Sequence, residues 1–94
     1  MSALHTIHNP AALAPALARC GQEDALLLLE DGVYAALADH PHSARLKGWR
    51  VHVLREDLKA RGLDENRLAV GLQPIAMSDF VALTVAFSPI LAWS

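Results

Sequence analysis

The chain has 94 residues, and eight Lys and Arg against ten Asp and Glu give a net charge of −2. Residues of the class AVILMFWYC make up 53% and charged residues 19%, with a mean hydropathy of +0.25 and a pI of about 6.2. This length accommodates one domain, residues 1–94; the slightly acidic balance excludes a chain that grips nucleic acid or anionic lipid by itself, and the apolar content excludes disorder.

Residues 3–7 are short, apolar and suited to open a sheet as its first strand. Asn9-Pro10 stops that strand and can cap a helix with Pro at its first position. Pro15 clashes with a helix interior, so the firm helix is expected at 14–20, with 9–13 irregular or a loose first turn. Gly21 is expected to end it in the left-handed conformation of a C-terminal cap. The apolar run Ala25 to Leu29 is too short for a helix and reads as a parallel strand buried on both faces. Residues 33–38 read as a short helix closed by Asp39-His40-Pro41, and residues 51–54 as the third strand. Residues 55–61 carry Glu56 and Asp57 in the first turn and Lys59 and Arg61 in the last, the order that suits a helix dipole; Gly62-Leu63 comes next as its cap. Residues 64–73 carry little pattern. Residues 74–77 read as a fourth strand, Ser78 as the cap of a helix at 79–87 with Phe80, Leu83, Thr84 and Phe87 as its stripe, and residues 90–93 as a fifth strand. The alternation predicts an α/β fold, a three-layer sandwich around a five-stranded parallel sheet.

Folding at this mass removes only roughly 64% of the extended chain's surface from water. Apolar surface is therefore expected to remain on the lone chain and to mark partner contacts; Trp93 and its neighbour Leu91 are the interface candidates. The longest apolar stretches are about five residues, far short of the roughly 20 a membrane span requires. No basic segment precedes an apolar core near Met1, so no secretion signal is expected. The single cysteine cannot form an internal disulfide, and a reducing cytoplasm is the expected compartment.

Chemistry-bearing residues are few. Cys20 is the candidate nucleophile; Leu13, Leu17 and Cys20 share one side of the first helix, and the helix C-terminus disfavours a thiolate there. His5 in an apolar strand reads as a hydrogen-bonded core histidine, and strand geometry sends His5 and His8 to opposite faces. His40-Pro41-His42 offers two imidazoles without a third ligand, which is too little for a structural metal. Asp31-Gly32 comes after the second strand, where parallel sheets place ligand loops, but no glycine-rich phosphate motif is present; capping by Asp31 and a tight turn at Gly32 are the simpler expectation. No nucleophile has a visible base, so a self-contained enzyme is not expected.

An ordered set of segments then matters together: Leu4-His5-Thr6-Ile7-His8, LLLLEDGVYAA from Leu26 to Ala36, EDLKARGL from Glu56 to Leu63, SDFVALTV from Ser78 to Val85, and Ala92-Trp93. In these the chain resembles the TusB/DsrH family, the small third subunits of the TusBCD and DsrEFH sulfur-relay complexes. The resemblance implies a DsrEFH-like fold and a cytoplasmic heterohexamer with TusC/DsrF-like and TusD/DsrE-like subunits, two copies of each chain. It implies a TusA-like donor and a TusE/DsrC-like acceptor, sulfur carried as protein persulfide with no other cofactor, and no direct contact with nucleic acid or membrane. The product is 2-thiolation of the wobble uridine of tRNA, or, for a DsrH-type chain, sulfur oxidation. The principal sulfur-carrying cysteine of such complexes lies on the TusD/DsrE-type subunit; some DsrH-type chains have one in the first helical region, where Cys20 falls. The expectation is an accessory, mainly structural and docking subunit. Two readings compete with it: an autonomous sulfurtransferase working through Cys20, and a homo-oligomeric binding module using the loop at Asp31-Gly32.

Overall fold

In the computed structural model, which describes residues 2–94, five strands form one sheet: β1 (Leu4–Ile7), β2 (Ala25–Leu28), β3 (Arg50–Leu54), β4 (Gln73–Ile75) and β5 (Ile90–Trp93). All pairings are parallel, in the order β4-β3-β2-β1-β5. The helices are α1 (Leu13–Arg19), α2 (Arg55–Ala60) and α3 (Met77–Ala86). The expected three-layer architecture is therefore present. Succession from β1 to β4 runs one way across the sheet and the return to β5 runs the other, so crossovers of one hand place α3 on the opposite face from α1 and α2.

The packing obeys that division. One face buries Ile7, Leu26, Leu28 and Val53 against Leu13 and Ala16 of α1, Val33, Leu46 and Leu58. The other buries Leu4, Ala25 and Leu27, covered by Ile75 and by Phe80, Leu83 and Phe87, three of the four residues expected as the stripe of α3; the fourth, Thr84, instead donates to the Val81 carbonyl at 2.6 Å. Residues Ala25 to Leu28 are inaccessible on both sides, which is why the run has no polar alternation. His52 on β3 has its Nε2 sealed without a partner; burial first, then Arg50, lowers its pKa and keeps it neutral near pH 7, with Asp79 opposing.

Several local expectations are corrected. The first helix is Leu13–Arg19, one residue earlier than 14–20, and Cys20 is its extended C-cap. Pro15 thus stands in the first turn, where its missing N–H has no intrahelical partner to lose. Asn9 instead caps a 3-10 turn at Pro10–Ala12, its side chain accepting from the Ala11 N–H. Gly21 lies outside the left-handed region; its N–H goes to Asp24 Oδ2 at 3.0 Å, so a side chain, rather than a glycine cap, closes this end. Gly62 does have φ +66, and Leu63 N–H to Leu58 O (2.9 Å) with Gly62 N–H to Lys59 O (3.0 Å) completes the expected Schellman closure of α2. Ser78 is no cap: α3 begins at Met77, and Asp79 accepts from the Ala76 N–H at 3.1 Å. The short helix at 33–38 is a 3-10 coil over Glu30–Ala36. Asp31 lies inside its first turn and accepts from Arg61 Nε at 3.0 Å rather than capping.

Gly32 explains that tight coil. A Cβ there would stand 1.9 Å from the carbonyl oxygen of Ile7 in β1, so only glycine allows the segment to sit on the end of the sheet. Gly32→Ala is expected to lower stability by about 3 kcal/mol or more, because neither piece of backbone can give way. Urea unfolding with an unchanged slope and a sharply lower midpoint is the measurement.

Candidate functional site

The structure brings together residues far apart in the chain: His5 on β1, Cys20 at the end of α1, Asp24 before β2, and Trp93 at the end of β5. The ligating atoms of His5, Cys20 and Asp24 all lie within 4.8 Å of one another. His5 is buried, with 1% of its surface exposed, as expected of a core histidine. Its Nε2 is 2.9 Å from Asp24 Oδ2, and its Nδ1 accepts from Trp93 Nε1–H at 3.1 Å. An indole nitrogen can only donate, so Nδ1 carries the lone pair and Nε2 carries the hydrogen. His5 is thereby a neutral donor to Asp24.

That tautomer limits the chemistry. A metal on Nε2 would leave both imidazole nitrogens without hydrogen and Nδ1 facing an indole donor, contrary to the arrangement metal-binding histidines use. The His5, Cys20 and Asp24 set thus does not fit a metal as it stands. The Cys20 thiol is also held back: burial, then the charge of Asp24, pushes its pKa up to about 11, the opposite of an activated nucleophile. Asp24 itself is held down to about 2, by the Gly21 N–H first and then by the Ala3 N–H and His5. A pocket of about 500 Å³ opens beside this cluster, lined by His5, Arg19, Asp24 and strand β5. Trp93 is half-buried and Leu91 is 39% exposed.

A second cluster lies at the carboxyl ends of β1 and β2. His8 Nδ1 bonds to Glu30, and its Nε2 is 3.1 Å from Thr6 Oγ1. Glu30 has φ 51, and Asp57 Oδ2 accepts its N–H at 2.6 Å. The carboxylate, imidazole and hydroxyl are ordered as in a hydrolytic triad, but Thr6 is 4% exposed and closed to substrate. His8 lies one residue beyond β1, and the two imidazoles have separate partners, Thr6 and Glu30 for His8 and Asp24 and Trp93 for His5. The imidazoles of His40 and His42 lie 5.2 Å apart, and His40 Nδ1 is occupied by the His42 N–H.

Sequence reasoning found His5, Cys20 and Trp93 singly and missed Asp24 and their convergence. The separations of 19 and 88 residues between partners leave no periodic signal to read.

A family model described as DsrH like protein matches residues 8–89. Two relatives called Protein TusB, from Escherichia coli O1:K1 / APEC and Shigella sonnei (strain Ss046), are 41% and 43% identical over 95 residues, covering 96% of this chain and 99% of theirs. The chain belongs to the DsrH-like family. Among solved structures it is similar to MTH1491 from Methanobacterium thermoautotrophicum, a protein of unknown function, with TM-score 0.72 and 14% identity over 97% of this chain and 96% of that one. It is also similar to Tm0979 from Thermotoga maritima, with TM-score 0.63 and 24% identity over 92% and 93%. Those two likenesses concern the fold alone. Membership in the family supports a sulfur-relay subunit, and no helix among the described residues is long and apolar enough to cross a membrane.

The cluster generates two predictions. Alkylation of Cys20 by iodoacetamide is expected to rise toward pH 11 rather than near pH 8–9, and Asp24→Asn should shift that profile to lower pH by removing the adjacent charge; an unmoved profile would show that Asp24 does not govern the thiol. Asp24 has a folded pKa below its ordinary 3.8, so its stabilising effect is full above that value and disappears as pH falls toward about 2. Trp93→Phe, which removes the indole donor to His5, is expected to begin acid unfolding at higher pH, and an onset unchanged from the parent chain would show that the indole does not support the His5–Asp24 bond.

Proposed function

We propose that this chain is the TusB-type subunit of a cytoplasmic sulfur-relay complex, assembled with TusC/DsrF-like and TusD/DsrE-like chains into a heterohexamer. The complex takes persulfide sulfur from a TusA-like donor and passes it to a TusE/DsrC-type acceptor for 2-thiolation of the tRNA wobble uridine. Its sulfur travels as protein persulfide, and this chain touches neither nucleic acid nor membrane. The observation that carries the reading is the near full-length likeness to proteins called TusB, which favours the tRNA branch over sulfur oxidation.

Within that complex the chain's part is mainly structural and docking. Three features support this. The Cys20 thiol is kept protonated by its surroundings. No residue beyond Leu58 is buried, so the C-terminal third has surface to cover. On the outer side of α3, Met77, Val81 and Val85 stand four residues apart and are 41%, 57% and 83% exposed, and on β5 Ile90 and Leu91, which point to opposite faces of the strand, are 46% and 39% exposed. Five such residues on one small chain mark a surface that is costly to leave wet. Leu91 and Trp93 belong to the contact, and Cys20 is at most a secondary carrier of sulfur.

Co-expression with TusC- and TusD-like chains is expected to yield one stable complex in which Leu91 and the α3 row lose solvent exposure by hydrogen exchange or footprinting. A stable monomer that ignores both chains overturns the proposal. The lone chain incubated with a persulfide donor should gain little stable mass of one added sulfur atom; efficient loading of Cys20 followed by transfer to an acceptor would replace the scaffold with a carrier.

A further inference from the structure

We infer that the pocket framed by residues 43–49 and 69–72 is a docking site for an acidic protein segment bearing one apolar anchor. It shares no lining residue with the pocket beside Cys20 and does not depend on the sulfur-relay reading.

The pocket holds about 420 Å³ between the 3-10 turn Ser43–Leu46 with its adjoining loop and the turn that leads into β4. Its wall is apolar, formed by Leu46, Trp49, Val70 and Leu72, and the one charged group lining it is Lys47. Leu46 is buried and Trp49 half-buried, so the floor is firm. Val70 is fully exposed, at 104%, a β-branched side chain projecting at the rim with nothing covering it. A concave apolar surface with a projecting apolar rim accepts an anchor residue.

Charge selects what surrounds that anchor. From His40 to Arg55 the chain has four cations, Arg45, Lys47, Arg50 and Arg55, and no carboxylate, although its net charge is −2. Of the acids that flank this segment, Asp39 pairs with Arg67 and Glu65 with Arg55. Arg50 stacks over Phe87 on the α3 side. Among the described residues, Arg45 and Lys47 form no ion pair. Both are exposed, Lys47 lining the pocket and Arg45 within the turn that frames it. Two unpaired cations beside an apolar recess complement an acidic segment with an apolar side chain. Two are too few to neutralise a phosphate backbone, which draws its affinity from many such contacts, so a protein segment is favoured over RNA.

The test uses the full chain labelled for amide NMR and a set of Glu-rich hexapeptides, each with a single Leu, Phe or Trp, beside a matching Lys-rich set. At least one Glu-rich peptide should move amide signals within 43–49 and 69–72. Its affinity should fall severalfold on raising salt and at least tenfold in R45E/K47E, a surface change that leaves the rest of the spectrum in place. The same variant should acquire affinity for the Lys-rich set. Silence toward every acidic peptide, equal response to both sets, or stronger displacement of the same signals by a short single-stranded RNA would overturn the proposal.

Discussion

One chain of hydrogen bonds through the buried His5, from Trp93 to His5 to Asp24, sets much of what this protein can do. It joins the last strand to the first, and the first to the residue that leads into β2. It also decides a tautomer: because the indole only donates, His5 must keep its hydrogen on Nε2. Asp24 is thereby satisfied and negative, and it faces a thiol that burial already disfavours as a thiolate. Three groups that look like a metal or catalytic set from their proximity are committed to each other. The interior they stabilise costs reactivity at Cys20.

A second constraint is the uneven covering of the sheet. The face beneath α1 and α2 is sealed by the main apolar cluster, while the opposite face is covered by α3 alone. A ten-residue helix crossing a five-stranded sheet leaves the margins wet and, having almost no charges, presents an apolar row outward as well as inward. Small size makes this unavoidable for so apolar a chain. Such apolar surface suits the chain to be one part of an assembly.

Much of the architecture was legible because it rests on local rules. The apolar run at Ala25 to Leu28 announced a strand buried on both faces, the charges of 55–61 announced α2 and its Gly62 closure, and Phe80, Leu83 and Phe87 announced the buried side of α3. Misreadings arose where a neighbour distant in sequence intervenes. Gly21 looked like a left-handed cap, but Asp24 takes its N–H. Asp31 looked like a cap, but Arg61 claims it. Residues 33–38 looked like a short helix, but a 3-10 coil over Glu30–Ala36 runs there, with Gly32 so close to the Ile7 carbonyl that no side chain fits. The candidate site was legible only as separate residues, since no spacing rule relates positions 5, 20, 24 and 93.

The sequence by itself determined the fold class, the buried status of His5, the absence of an obvious base for Cys20 and, through its ordered segments, the family. The fold class and the burial of His5 rest on periodicity, end chemistry and composition, each acting over a few residues, whereas the family rests on the likeness of whole segments to known relatives. Only the tertiary structure decided that His5, Cys20, Asp24 and Trp93 meet, which imidazole nitrogen holds the hydrogen, and where the unpaired cations and apolar rims stand together. Parallel pairing brings residues from opposite ends of the chain into adjacent register, as Ile7 beside Trp93, and hydrogen-bond direction and burial exist only once that register is formed.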